Sequence, residues 1–269
     1  MRKTGQSAPA LAARMDNPDL PFKDKKVMLA LNMGWDKPTM GSDYYKGNAE
    51  LYSYPFINDA AHQTVYTPFD QLSELARSTF EYHPDRAKEL LAEAGYPNGF
   101  KTKVDASNLG DNIDVLSIIK EDWVKIGVEL EIVPHEASVQ TSISRGRQHE
   151  AMILGGSQEN FTTVKLLSVR EESADDRSFY ERPETRAAYN EIIKNVGKND
   201  AAADKILKEI TPFLLEDPWG VWLPMPYTYD VWWPWLKDYE GQWNFGDWNP
   251  NCYSRYVWID QALKTQIGY

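Results

Sequence analysis

The sequence has 269 residues, with 29 basic and 40 acidic side chains and a net charge of −11. That excess of negative charge repels nucleic acid and anionic membranes and favours neutral or cationic partners. Cys252 stands alone, which excludes an internal disulfide and a multi-thiolate metal site, and no window approaches the roughly eighteen apolar residues of a membrane span.

Residues 1–14 are polar and small and read as a flexible lead-in. Met1-Arg2-Lys3 is followed by T-G-Q-S-A-P-A, which lacks the apolar stretch of an export signal. Asp24 to Gly34 is predicted as a helix, largely buried through Val27, Leu29, Ala30 and Leu31 and ended by Gly34. From Trp35 to Glu81, Pro, Gly, Tyr and Asn break every period, so a long wrapped loop with short helices is expected. Loops of that length are functional or clamped against another surface.

Tyr82 to Phe100 reads Y-H-P-D-R-A-K-E-L-L-A-E-A-G-Y-P-N-G-F. Pro84 suits a first helical position, which needs no N–H, and Asp85 places negative charge in the first turn. Ala87, Leu90, Leu91 and Ala94 follow at i, i+3, i+4 and i+7, one buried stripe. Gly95 supplies a left-handed cap and Pro97 forbids continuation.

A regular alternation follows. Phe100, Thr102 and Val104 mark a strand; Asn112 to Ile126 a helix capped by Gly127; Val128, Leu130 and Ile132 a second strand that Pro134 stops. Ala137 to Arg145 reads as a helix and Ala151 to Leu154 as a buried strand. This β-α-β-α-β order implies parallel strands, and ligands of such sheets bind beyond the strands' carboxyl ends. The ends concerned are Val133 to Glu136 and Leu154 to Phe161, which makes Glu136, Gln158, Glu159, Asn160 and Phe161 candidate ligand-binding residues. Helices are expected over about Pro183 to Asn195 and Ala201 to Leu215, the second kinked by Pro212.

Eight of the ten tryptophans fall between Trp219 and Trp258, with several tyrosines among them. Such rings stack on sugars, cations or peptide side chains, or else pack in a core. Trp232 and Trp233 are adjacent, so in a strand only one faces inward, and Trp233 is taken as a ligand-binding candidate. The four histidines, His62, His83, His135 and His149, lack metal-ligand spacing. Phosphate-binding loops, dinucleotide fingerprints and nucleophile elbows are absent from the sequence, so no catalytic residue, metal or cofactor is assigned.

The phrase A-K-E-L-L-A-E-A-G-Y-P-N-G-F resembles the signature of the peptide/oligopeptide-type (family 5) extracellular solute-binding proteins of ABC importers. Arg14 to Lys37 is similar to a second family segment, with Lys26 and Met28 where arginines are usual. Arg182 to Ile192 and Leu214 to Trp219 resemble its late helices and return strand. The resemblance runs from about Met15 to the end and implies an α/β fold, the C-terminal lobe of a type II periplasmic binding protein, with a β-α-β-α-β parallel core and return strands. It divides the chain into the lead-in, a ligand-binding lobe over 15–218, and an aromatic-rich return segment over 219–269 that joins a missing N-terminal lobe. It further implies a peptide or small-molecule solute, ABC permease subunits as partners, a periplasmic or extracellular location, and no catalysis. A gapless match to the family's G-W-x-A-D strand end puts Glu159 at the aspartate that pairs with a peptide ammonium and Gly156 at the tryptophan. Tyr227 falls where family members present a tyrosine to the cleft. Two other readings stay open: a carbohydrate-binding module or glycoside hydrolase using the Trp/Tyr-rich region, and an assembly role for the same aromatic surface.

Overall fold

The computed structural model describes residues 2–3, 7–58, 62–158, 176–239 and 256–268. In chain order these form β1 (Arg2–Lys3), β2 (Ser7–Ala13), α1 (Lys25–Met33), α2 (Lys37–Thr39), β3 (Ala49–Glu50), α3 (Glu74–Ser78), α4 (Pro84–Glu93) and β4 (Phe100–Ser107). There follow α5 (Asn112–Lys125), β5 (Val128–His135), α6 (Ala137–Arg145), β6 (Met152–Gln158), α7 (Pro183–Asn195) and α8 (Asp200–Glu216). The chain closes with β7 (Gly220–Trp222), β8 (Met225–Pro226), β9 (Thr228–Tyr229), β10 (Leu236–Lys237), β11 (Trp258–Ile259) and α9 (Gln261–Gln266). Two compact units result: 4–226, and 1–3 together with 227–269.

The larger unit is built on a five-stranded sheet of order β5-β4-β6-β2-β7. β4 runs parallel to β5, from Phe100 opposite Val128 to Ser107 opposite His135, and parallel to β6, with Val104 opposite Met152. The turns that launch β4 and β5 pack backbone on backbone. Gly99 has φ 71°, and a Cβ there would lie 1.8 Å from the Gly127 carbonyl oxygen. Only glycine fits both the left-handed conformation and the approach.

β2 runs antiparallel to both neighbours, Leu11 facing Leu154 of β6 and Val221 of β7. The expected flexible lead-in is therefore corrected for Ser7–Ala13. The segment S-A-P-A-L-A-A has weak strand propensity, but it is held by ladders on both sides, and tertiary pairing overrides propensity. Its small residues permit close packing: a Cβ on Gly220 would lie 2.8 Å from the Leu11 carbonyl oxygen. Ala10, Leu11, Ala12 and Ala13 are buried. The boundary expected at 218/219 also shifts, because β7 belongs to this sheet and the smaller unit begins at Tyr227.

The helices follow their punctuation. Asp24 caps α1, its side chain accepting from Lys26 N at 2.8 Å. Gly95 (φ 93°) closes α4, with Gly95 N donating to Ala92 O and Tyr96 N to Leu91 O. Pro134 does not stop its strand, since β5 continues to His135. β5 lies at the sheet edge, where a missing N–H is tolerated. Pro212 lies within α8, which continues to Glu216.

The region from Trp35 to Glu81 carries short elements clamped onto the core. Tyr54 stacks on Trp222 with centroids 3.8 Å apart, and its hydroxyl accepts from Trp219 Nε1 at 2.9 Å. Lys37 is fully buried, its Nζ donating to the Asn32 carbonyl and lying 4.6 Å from the Trp35 ring centroid. Burial lowers its pKa well below the ordinary 10.5.

Leu11→Ala, harmless in a flexible tail, should cost about 2–5 kcal/mol in urea unfolding because it empties a fully buried site between β6 and β7. Lys37→Met should raise stability at neutral pH by on the order of 1 kcal/mol or more. The unfolded chain holds the Lys37 proton up to about pH 10.4, whereas the folded chain releases it at lower pH. Wild-type stability thus rises toward pH 10, and melting curves should show the gap between variant and wild type closing there.

Candidate functional site

The carboxyl ends of β4, β5 and β6 carry a polar network. Asp105 on β4 and His135 on β5 meet at 2.7 Å between Oδ1 and Nε2, with Asp105 buried and His135 partly exposed. The adjoining loop is tied down by Asn108 N donating to the His135 carbonyl at 2.9 Å and Asn112 Nδ2 to the Ser107 carbonyl at 3.2 Å.

Gln140 of α6 spans the parallel strands. Its Nε2 donates to the carbonyls of Leu154 at 3.1 Å and Asp105 at 3.3 Å. Those two acceptors fix the amide orientation and leave Oε1 buried, with no donor among the described residues. Across β6, Arg177 fills the notch at Gly155, where a Cβ would lie 3.4 Å from its Cδ, and its Nε donates to Ser144 Oγ. Polar side chains thereby join helix α6, the strand ends and the segment at Arg177.

The sequence-predicted residues distribute unevenly. Glu136 is exposed at the start of α6, and its Oε2 accepts from Ser138 Oγ at 2.6 Å. Gln158 is the last residue of β6. Glu159, Asn160 and Phe161 lie outside the described residues. Tyr227, half-buried, and Trp233 belong to the smaller unit, so no shared site with Glu136 or Gln158 is described. Neither Trp232 nor Trp233 lies in a strand. Trp233 stacks on Trp235 with centroids 4.6 Å apart and an interplanar angle of 8°, while Trp232 meets Tyr239 edge-on. Trp219 and Trp222 are buried in the larger unit and cannot serve a sugar platform.

Sequence reasoning missed Asp105, His135 and Gln140. Asp105 is the single acidic residue of β4 (F-K-T-K-V-D-A-S) and is buried there, beside Val104 and Ala106. His135 lies within the strand end Val133 to Glu136, where its sequence spacing bears on metal and catalytic roles but not on a carboxylate across the sheet. Among the described residues no three His, Cys, Asp or Glu side chains converge to hold a metal ion.

With this geometry in place, comparison with known proteins assigns the chain to a class. Residues 3–175 match the model of the bacterial extracellular solute-binding proteins, family 5 Middle, and the chain belongs to that family. It is similar to Heme-binding protein A of Haemophilus influenzae, 28% identical over 218 residues that make up 77% of this chain and 37% of that protein. It is also similar to Di/tripeptide-binding protein 1 of Pseudomonas aeruginosa, 25% identical over 224 residues, 77% of this chain and 40% of that protein. The oligopeptide-binding protein AppA of Bacillus subtilis, solved with a nonapeptide, superposes with a TM-score of 0.72 at 18% identity, covering 96% of this chain and 52% of that one. The fold is thus the expected α/β lobe of a type II periplasmic binding protein. The chain spans about two-fifths of the length of these two curated relatives, 37% and 40%.

Gln140→Ala should lower stability by about 1–3 kcal/mol, since two buried carbonyls lose their donor. Glu136→Gln, at an exposed position, should stay within about 0.5 kcal/mol of wild type in the same urea titrations.

Proposed function

We propose that this chain is a non-catalytic solute-binding lobe of an ABC importer receptor, working in the periplasm or outside the cell. The observation that carries this reading is the parallel trio β4, β5 and β6, with a side-chain-braced polar end, in a chain of the family 5 solute-binding class. Printed names among the relatives, heme-binding and di/tripeptide-binding, support a small-molecule or peptide solute.

In this reading Gln158, Glu159, Asn160 and Phe161, which follow Gly155 and Gly156 in sequence, contact the solute, with Glu159 as partner of an ammonium group. A carboxylate so used contributes roughly 1.5–3 kcal/mol through a charge-assisted hydrogen bond. Glu136, Tyr227 and Trp233 are proposed as further contacts. The relatives' greater length supports a second lobe that closes on the solute by hinge motion, the closed form being recognised by the permease.

A lobe alone cannot enclose a solute, so the isolated chain should bind weakly. Calorimetric titration with di- and tripeptides and with heme should give dissociation constants weaker than micromolar. A submicromolar constant for the chain by itself would contradict the single-lobe reading. If the chain is combined with a separate first lobe from a relative, affinity should rise, and Glu159→Gln should then reduce it for peptides with a free amino terminus.

A further inference from the structure

Where α6 hands over to β6, strained backbone is kept for the sake of a side chain. Arg147 N donates to Ser144 O at 3.1 Å and Gln148 N to Ile143 O at 2.9 Å, the paired bonds that end a helix with one left-handed residue. That residue is Arg147, at φ 52°, where glycine would fit without strain. Its guanidinium lies 3.8 Å from the Phe179 ring centroid, and its Nη2 is 3.4 Å from Asp176 Oδ2.

Phe179 is itself left-handed, at φ 54°. Asp176 Oδ1 holds it there, accepting from Ser178 N, Ser178 Oγ and Phe179 N at 3.1, 2.9 and 2.9 Å. Arg14, just past β2, also lies against the ring, 4.7 Å from its centroid, and Arg14 Nη1 donates to the His149 carbonyl at 2.9 Å. Met15 N donates to Ser178 O at 2.9 Å. Segment 176–180 is thus fastened to β2 and to the amino end of β6 through one ring and two cations.

His149 sits within this fastening, 1% exposed, its ring 6.1 Å from that of Phe179. Neither ring nitrogen completes a hydrogen bond of good geometry among the described residues, although the Arg177 backbone comes near. Arg147 packs on the same Phe179 ring, and Arg14 is the cation whose charge acts on His149. The carboxylates around it are engaged elsewhere: Asp16 with Arg14, Asp176 with Arg147, Asp105 with His135, and Glu150 with Lys103. Among the described residues none is left to receive an imidazolium. Burial, and then the charge of Arg14, push the His149 pKa down to about 4.

We propose that His149 is a proton-operated latch: neutral, it lets Arg14 and Arg147 close on Phe179, and protonated, it releases segment 176–180 from β2 and β6. The sign follows from linkage. An opened latch returns the imidazole to its ordinary 6.5, so between about pH 6.5 and pH 4 the open form binds the extra proton and gains. From pH 7 to pH 5 the opening equilibrium should rise roughly twentyfold. Asp176, whose pKa burial raises, works in the opposite direction, so a His149 variant is needed to isolate the effect.

Hydrogen exchange read by mass spectrometry, corrected for the intrinsic pH dependence of amide exchange, tests this on the full chain. Wild type should lose protection in residues 147–149 and 176–180 by that factor at pH 5, while α8 stays protected. His149→Phe, or His149→Gln if the first folds poorly, should show no such pH step. An equal step in both variants and wild type, no step in wild type, or an equal loss in α8 would overturn the latch. None of these outcomes depends on the identity of a solute.

Discussion

Everything in the larger unit depends on β2 having two neighbours. The parallel trio of β4, β5 and β6 leaves one side of β6 unpaired, and β7 arrives more than sixty positions later in the chain. β2, running antiparallel to both, completes the ladder between them. Backbone N–H and C=O groups buried without partners cost as much as lost hydrogen bonds, so pairing on both sides confines β2 more than its side chains do. Pro9 is tolerated within that ladder, and its carbonyl accepts from Leu223 N at 3.1 Å. Because Arg14 and Met15 follow directly, the same strand also carries the groups that fasten residues 176–180.

The elements legible in the sequence were those whose determinants are local. α4 is written out by Pro84, the Ala87, Leu90 and Leu91 stripe, and Gly95, and α6 and α7 fall on their expected bounds. β2 was illegible because a strand of small residues, buried on both sides, has no alternation to display. Its partners lie about 140 and 210 positions away, and nothing in a short window reports them. The continuation of β5 through Pro134 was hidden for a related reason. Whether proline ends a strand depends on its place in the sheet, and place is a tertiary property.

The candidate site was legible in location but not in composition. The β-α-β-α-β order directs attention to the strands' carboxyl ends, and the network of Asp105, His135 and Gln140 is found there. Its members are drawn from three elements, and no spacing rule links an aspartate on one strand to a histidine thirty residues on. The aromatic C-terminal region divides the other way. Trp219 and Trp222 close the core around Tyr54, while Trp232, Trp233 and Trp235 form their own ring contacts in the smaller unit. Density of tryptophan alone did not distinguish packing from recognition.

The outer margin of β5 has a consequence for how the chain behaves in company. Glu129 and Glu131 point into solvent along it, and Pro134 near its end has no N–H to offer. The inner side of this strand is paired with β4 along its length, and Lys101 and Glu129 face each other across that pair at 2.7 Å. A foreign strand seeking to extend the sheet there would meet the exposed Glu131 carboxylate and a row of donors interrupted at Pro134. The long margin of a parallel sheet is thereby made a poor template for aggregation.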